Sequence, residues 1–358
     1  MRIGLIAPPW VPVPPPRYGG TEVVVDNLAR GLHARGHDVE LFTVGESTCP
    51  VRRDFLYPSA REPMGMCVDE AAHVVAAYEA LAHVDLIHDH TVVGPLLASQ
   101  RHPRGPVVTT HHGPFTPEHR RILEVVSRSV PVIAISRDQA RHAREVRIAE
   151  VIHHGIDLTV HQFGPGDGGY LLFVGRMSAD KGIDRAIKAA NRAGIPLVLA
   201  TKMREPAEVQ YYQEVVKPMM DRSVELIIEP SQTDRVDLMR RAFALINPID
   251  WPEPFGLVMV EALACGTPVI ASPRGAAPEI VDHGHTGYLC SDNDGLVDAV
   301  RHVTDIDRRA CRAAAERHFS LARMARDHDV VYRRILASAP NCVRREPRLV
   351  GEPVRATA

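Results

Sequence analysis

The stretch FGPGDGGYLLFVGRMSADKG, Phe163–Gly182, decides how the chain is divided. It contains a literal GxGxxG at Gly164, Gly166 and Gly169. A dinucleotide fingerprint of that form must follow a strand and open a helix, because its glycines turn the chain onto the helix N-terminus that takes the pyrophosphate. Here the glycines precede the apolar, strand-like run YLLFVG, so they read as a linker and not as a cofactor loop. On that reading the chain consists of two α/β units meeting near residue 163.

Each side of the linker supports this division. Residues 2–7, RIGLIA, read as a buried strand, followed by the proline-rich loop PPWVPVPPPRYGG. A helix begins at about Thr21, with Val23, Val24, Leu28 and Leu32 on one face and Gly36 after its end, and HDVELFTVG forms the next strand. The alternation continues through helices around 70–83, 94–100, 118–128 and 137–145. The strands between them are DLIHDH, PVVTTHH, PVIAIS and, last, EVIHHGID. Beyond the linker, strands are expected at YLLFVG, PLVLAT, SVELII, FALINP, PVIAS and GYLC. Helices are expected at 180–193, 207–220, 233–242, about 257–264, PEIVD and 293–318. An amphipathic helix over 320–338 carries Leu321, Met324, Val331 and Ile335. The fold class is therefore α/β, with two doubly wound, Rossmann-like domains and a ligand cleft between them beyond the carboxyl ends of the strands.

Composition narrows the function. The 358 residues suffice for two cores, and 45% apolar with 24% charged residues is ordinary globular usage. A formal net charge of -2 without a basic block argues against nucleic acid as a partner. The six cysteines include no CxxC pair, which favours free thiols in a reducing compartment over disulfides or a zinc site. The N-terminal MRIGLIAPPW is too short for a signal-peptide core or a membrane span, and no other segment approaches a span. The expected location is cytoplasmic.

Four motifs carry chemistry. In YGGT, Gly19 and Gly20 sit after the first strand and at a helix start, where free N–H groups favour an anion; the alternative is a plain turn with Thr21 as N-cap. In VGRMSADKG, Arg176 lies just past a strand end and Lys181 five residues on, a pair suited to clamping a diphosphate or else two solvated charges. In EPFGLVMVEALACG, Pro252 and Pro254 make Glu253 a turn residue. Glu261 falls inside an apolar helix, either exposed on its solvent face or buried with hydrogen-bonding partners such as a ribose diol. In VVTTHHGPF and DLIHDH, four histidines end neighbouring strands. Adjacent strand residues point to opposite faces, so one active-site imidazole is favoured over a metal cluster.

Taken together and in order, Glu253 and Glu261 in an EX7E arrangement, GGT near the N-terminus, HGID at 154–157 and VGRMSADKG resemble the retaining glycosyltransferases of family 4. The resemblance covers about residues 1–340 and implies the GT-B fold. It implies an acceptor domain at 1–163, a nucleotide-sugar donor domain at 164–319 and a helix at 320–340 crossing back to the first domain; residues 341–358, by their prolines and arginines, read as a disordered tail. It further implies that Arg176 and Lys181 neutralise the leaving diphosphate, that Glu253 contacts the sugar hydroxyls and that Glu261 holds the ribose. The amides of Phe255, Gly256, Leu257 and Val258 would reach the sugar and phosphates, with Gly19 and Gly20 touching the diphosphate from the other domain. His111 matches the family's active-site histidine, and Lys202 and Ile228 are expected near the base.

The activity implied is transfer of a hexosyl group from a UDP- or GDP-sugar, UDP-glucose first, to an unidentified hydroxyl acceptor, with no metal and no other cofactor. A lipid-linked acceptor would bring the chain to a membrane surface. The competing readings are an epimerase or phosphorylase of the same fold and an inactive nucleotide-sugar-binding protein.

Overall fold

Nearly continuous apolar runs such as Ile3–Ile6 and Leu171–Phe173 are buried on both faces, as strands in the middle of parallel sheets must be. In the computed structural model, which describes residues 1–17, 19–101 and 105–338, they build two all-parallel sheets. The first contains β1 (Arg2–Ile6), β2 (Asp38–Thr43), β3 (Arg52–Phe55), β4 (Leu86–Asp89), β5 (Val107–Thr110), β6 (Val132–Ala134) and β7 (Ile148–Val151), in the order β3-β2-β1-β4-β5-β6-β7. The second contains β8 (Leu171–Arg176), β9 (Leu197–Lys202), β10 (Val224–Ile228), β11 (Ala244–Asn247), β12 (Val269–Ala271) and β13 (Gly287–Leu289), in the order β10-β9-β8-β11-β12-β13. In each sheet the first strand in sequence lies inside it, and the strand order reverses beside it. That reversal leaves a crevice at the carboxyl ends. The glycines at 164, 166 and 169 do precede β8, so they open no phosphate-binding helix.

The two units are tied together by the last helix. The helix Leu321–Ser338 leaves the second unit at Ser320, which bridges to Ile156, and packs on the helix Gly20–Ala34 of the first. Met324, Val331 and Tyr332 join Val24, Leu28 and Leu32 in one buried cluster. Gly31 permits this crossing, since a Cβ there would stand 2.8 Å from both Ala325 Cβ and Leu321 Cδ2. Gly31→Val is expected to overpack the crossing at a cost of about 1–3 kcal/mol. Urea unfolding would show a lower midpoint, whereas an unchanged midpoint would mean that the crossing accommodates a side chain.

Several local expectations differ from what is seen. Strand β3 was not anticipated: its residues, RRDF, are exposed edge-strand residues without an apolar signature. Strand β7 ends at Val151, so His153 and His154 lie in the loop after it. The helix expected over 207–220 holds only for Pro206–Tyr211. A π turn follows, and the segment ends as a 3-10 turn around Pro218, which cannot donate a helical hydrogen bond. The 293–318 segment is two helices, Asn293–His302 and Arg308–His318, the second capped by Asp307. The first helix starts at Gly20 with Gly19 in the capping position, so Thr21 is not its N-cap.

Cys49, Cys67, Cys265, Cys290 and Cys311 are free thiols. Among the described residues no helix is long and apolar enough to cross a membrane. The tail expected at 341–358 lies outside the described residues.

Candidate active site

The crevice between the two sheets is lined from both units. One wall is the glycine turn Gly19–Thr21 with His112, Gly113 and His154; the other is built from Gly175, Lys181 and Lys202 with the segment Trp251–Val258 and Glu261. The walls nearly meet, since a Cβ on Gly20 would lie 3.9 Å from Leu257 Cδ1. At the mouth, Arg17 of the proline-rich loop reaches Glu229 beyond β10 at 3.3 Å, and Arg204 also grips that carboxylate, at 2.6 Å.

The loop after β11 sets the two glutamates. Trp251 to Pro254 carry the chain outward, and Gly256 turns it at a φ of 103° into the helix Leu257–Ala264. A residue with a Cβ is strained at that angle, which makes this glycine part of the site's construction. The helix start then presents the N–H groups of its first turn from the positions of Leu257 and Val258, both of which line the crevice.

Glu253 and Lys181 form the central pair. Lys181 ends a 3-10 turn after β8, is only 7% exposed, and hydrogen-bonds through Nζ to Glu253 Oε1. The ammonium also lies 5.2 Å from the Trp251 ring, a cation–π contact. Glu253 Oε2 is buried and finds no hydrogen-bond partner among the described residues. An orphaned carboxylate oxygen is costly unless a ligand donates to it.

Glu261 is buried, at 7% exposure, so it occupies the crevice side of its helix and not the solvent face. His161 Nε2 stands 3.9 Å from its Oε1 and Arg235 Nε 3.8 Å from its Oε2, both beyond hydrogen-bonding distance. Lys202, at the end of β9, pairs with Glu205 at 3.1 Å and lines the crevice.

Three expected residues stand apart. Arg176 pairs with Asp180 at 3.2 Å, while its strand neighbours Val174 and Gly175 line the crevice. Ile228 is half exposed, and the next two residues, Glu229 and Pro230, reach the crevice in its place. His111 packs on Phe115 and His119 and hydrogen-bonds through Nε2 to the Pro114 carbonyl, whereas His112 faces the crevice. Strand β5 ends at Thr110, so both histidines lie in the loop after it, and the loop's course, which the sequence does not show, turns His112 to the crevice and His111 away.

Behind His112 the imidazoles are organised by hydrogen bonds. His112 Nε2 lies 2.9 Å from His90 Nδ1, and His88 bonds Tyr332 at 2.6 Å and Thr110 at 2.8 Å. His154 stacks on His112 with ring centres 5.2 Å apart. Burial pushes the His111 imidazole down to about 4 and that of His112 to about 3, so both are neutral near pH 7. No group of metal-ligating side chains is assembled among the described residues.

Two family models match the chain in sequence order. One, described as Glycosyltransferase Family 4, matches residues 18–160; the other, Glycosyl transferases group 1, matches 161–318. The chain belongs to the family 4 glycosyltransferases of the GT-B fold. This glycosyltransferase is 28% identical to a glycogen synthase of Mycobacterium tuberculosis, over 88% of its own length and 90% of the relative's. It is 26% identical to AviGT4, a glycosyltransferase involved in avilamycin A biosynthesis, with a TM-score of 0.74 over 94% of this chain and 98% of that one. Anabaena HepE, solved with UDP and glucose, shares the fold at 20% identity, with a TM-score of 0.73 and coverage of 94% and 99%.

Motif reading of this glycosyltransferase missed Arg17, His154, Glu229, Arg235 and Trp251, all of which line the cleft. Trp251 adjoins Glu253 and could have been taken with it. Arg17 could have been taken with the glycine turn. His154 opens the HGID motif and was not assigned a role there, whereas Glu229 and Arg235 sit in segments without a local signature.

Proposed function

We propose that the chain is a retaining hexosyltransferase that takes its sugar from a nucleotide diphosphate sugar, UDP-glucose first among UDP- and GDP-sugars, and passes it to a hydroxyl acceptor without a metal. The observation that carries this reading is the Lys181–Glu253 pair with Glu253 Oε2 left unpaired in the crevice. A sugar hydroxyl is the natural donor to that oxygen, and the ammonium beside it is placed for an anionic leaving group. Helix-start amides at Leu257 and Val258 and the glycine turn at Gly19–Gly20 add donors from two sides, and Lys202 lies toward the base end. Arg176 would join the clamp after leaving Asp180, and Ile228 would flank the base from the rim.

As the bond to the anomeric carbon breaks, negative charge grows on the diphosphate, and Lys181 with the amides stabilises it. In a front-face reaction a leaving phosphate oxygen accepts the acceptor's proton, so no protein base is required. Neutral His112 fills the place expected of His111 beside the sugar, able to hydrogen-bond without repelling an oxocarbenium-like centre. The acceptor would lie against the first unit, beside the proline-rich loop, and a lipid-linked acceptor would bring that face to a membrane. UDP and glucose bound in HepE support the choice of donor.

Glu261→Ala is expected to weaken nucleoside diphosphate binding by about tenfold or more, the scale of a lost hydrogen bond to a charged group. Titration calorimetry measures it, and unchanged affinity would contradict the ribose assignment. A thermal-shift panel of UDP-, GDP-, ADP- and TDP-sugars tests the donor class, since a bound donor raises the melting temperature. Stabilisation by UDP- or GDP-sugars is the expected result, and none by any of the four would count against the proposal.

A further inference from the structure

Arg235 belongs to no motif, yet it reaches the cleft beside Glu261. It sits in the first turn of the helix Gln232–Arg241, which packs on the helix that carries Glu261. Its side chain is 13% exposed. The 3.8 Å between Arg235 Nε and Glu261 Oε2 is too long for a hydrogen bond, and Nε has no other partner among the described residues. A nearly buried guanidinium held one step short of a carboxylate leaves its donor unmade, which is costly until something occupies the gap.

The chemistry of the two sides defines that occupant. A guanidinium only donates, and a carboxylate only accepts. A group placed between them must therefore accept from one and donate to the other, which a hydroxyl does with a single oxygen. An oxygen to one side of the pair, about 2.8 Å from each atom, bridges them with an angle of about 85° at the oxygen. Glu229 and Pro230, just upstream of this helix, also line the cleft.

We propose that Arg235 is a donor-positioning residue that shares a ribose hydroxyl with Glu261, so that the hydroxyl donates to Glu261 Oε2 and accepts from Arg235. The ligand class is a ribonucleoside diphosphate in preference to its deoxy counterpart. The inference rests on the assignment of Glu261 to the ribose and deepens it. Arg235 thereby orients the nucleoside end while the Lys181–Glu253 pair acts at the other.

The test compares wild type, Arg235→Met, Arg235→Lys and Glu261→Gln by titration calorimetry with UDP and GDP and with their 2′-deoxy and 3′-deoxy forms. Wild type is expected to prefer the ribonucleotide by about tenfold or more over at least one deoxy form. Arg235→Met is expected to lose about that factor for the ribonucleotide and nothing for that deoxy form, with Arg235→Lys in between and the melting temperatures unchanged. A water in the gap, or a purely structural arginine, would leave the ribo-to-deoxy ratio of Arg235→Met equal to that of wild type, and that result overturns the proposal. If Glu261→Gln weakens binding and Arg235→Met does not, the arginine inference alone fails. If neither weakens it, or if wild type binds neither UDP nor GDP, the ribose assignment fails with it.

Discussion

Lys181→Ala lowers turnover by about 10²-fold or more, the scale on which enzymes lose rate when a preorganised electrostatic donor is removed. The reason is local. Lys181 is 7% exposed, lies between Glu253 and the Trp251 ring, and faces the cleft, so water cannot replace its charge cheaply. The variant also strands Glu253 with both oxygens unpaired. Donor affinity is expected to change less than turnover, because the charge on the diphosphate grows as the bond breaks. Arg176→Ala is expected to cost less than Lys181→Ala, since Arg176 is held by Asp180 outside the lining and must first leave it. Steady-state rates with the preferred donor decide this, and a wild-type rate in Lys181→Ala would remove the clamp from the account.

Acid is expected to destabilise the protein from about pH 6.5 down to about 4, a window set by its buried imidazoles. Burial pushes His73, His111 and His328 down to about 4 and His112 to about 3, and lowers His88, His90 and His154 well below the usual histidine value. Each is neutral in the fold and charged in the unfolded chain once the pH drops below about 6.5. Each therefore contributes stability that is present above that value and lost at about 1.4 kcal/mol per pH unit as the pH falls toward its folded value. Two carboxyls oppose the trend. Burial raises Glu22 to about 7 and Asp89 to about 6, so both favour the fold on acidification. Seven imidazoles outweigh two carboxyls, and net proton uptake on unfolding is the expected sign. The melting temperature should stay nearly level from pH 7.5 to about 6.5 and fall from there to pH 5. A flat profile would show that the histidines are not buried neutral.

How much of this was legible in the sequence follows from what each feature leaves in a local pattern. Strands β1 and β8 and the helix that carries Glu261 were readable because long apolar runs stopped by glycine or proline have few alternatives. The position of the glycines before YLLFVG excluded a dinucleotide loop by order alone. Strand β3 escaped because a charged edge strand has no pattern to find. The inward face of His111–His112 escaped because both follow the end of β5 at Thr110, in a loop whose course leaves no pattern in the sequence. Among the site residues, Lys181, Glu253 and Glu261 were legible through their motifs, whereas Arg235 and Glu229 reach the cleft only through the packing of helices and the end of β10. Arg176 was legible as a motif residue, yet its side chain turns to Asp180, a competition between neighbouring charges that spacing does not resolve.

The most direct test of the account is release of nucleoside diphosphate from a panel of UDP- and GDP-sugars by wild type and by Glu253→Gln, followed with and without added hydroxyl acceptors. The account predicts slow release from one donor by wild type, faster release with an acceptor, and a loss of about 10²-fold in Glu253→Gln. Donors that bind but are neither hydrolysed nor transferred by wild type would contradict it and leave a nucleotide-sugar-binding protein in its place.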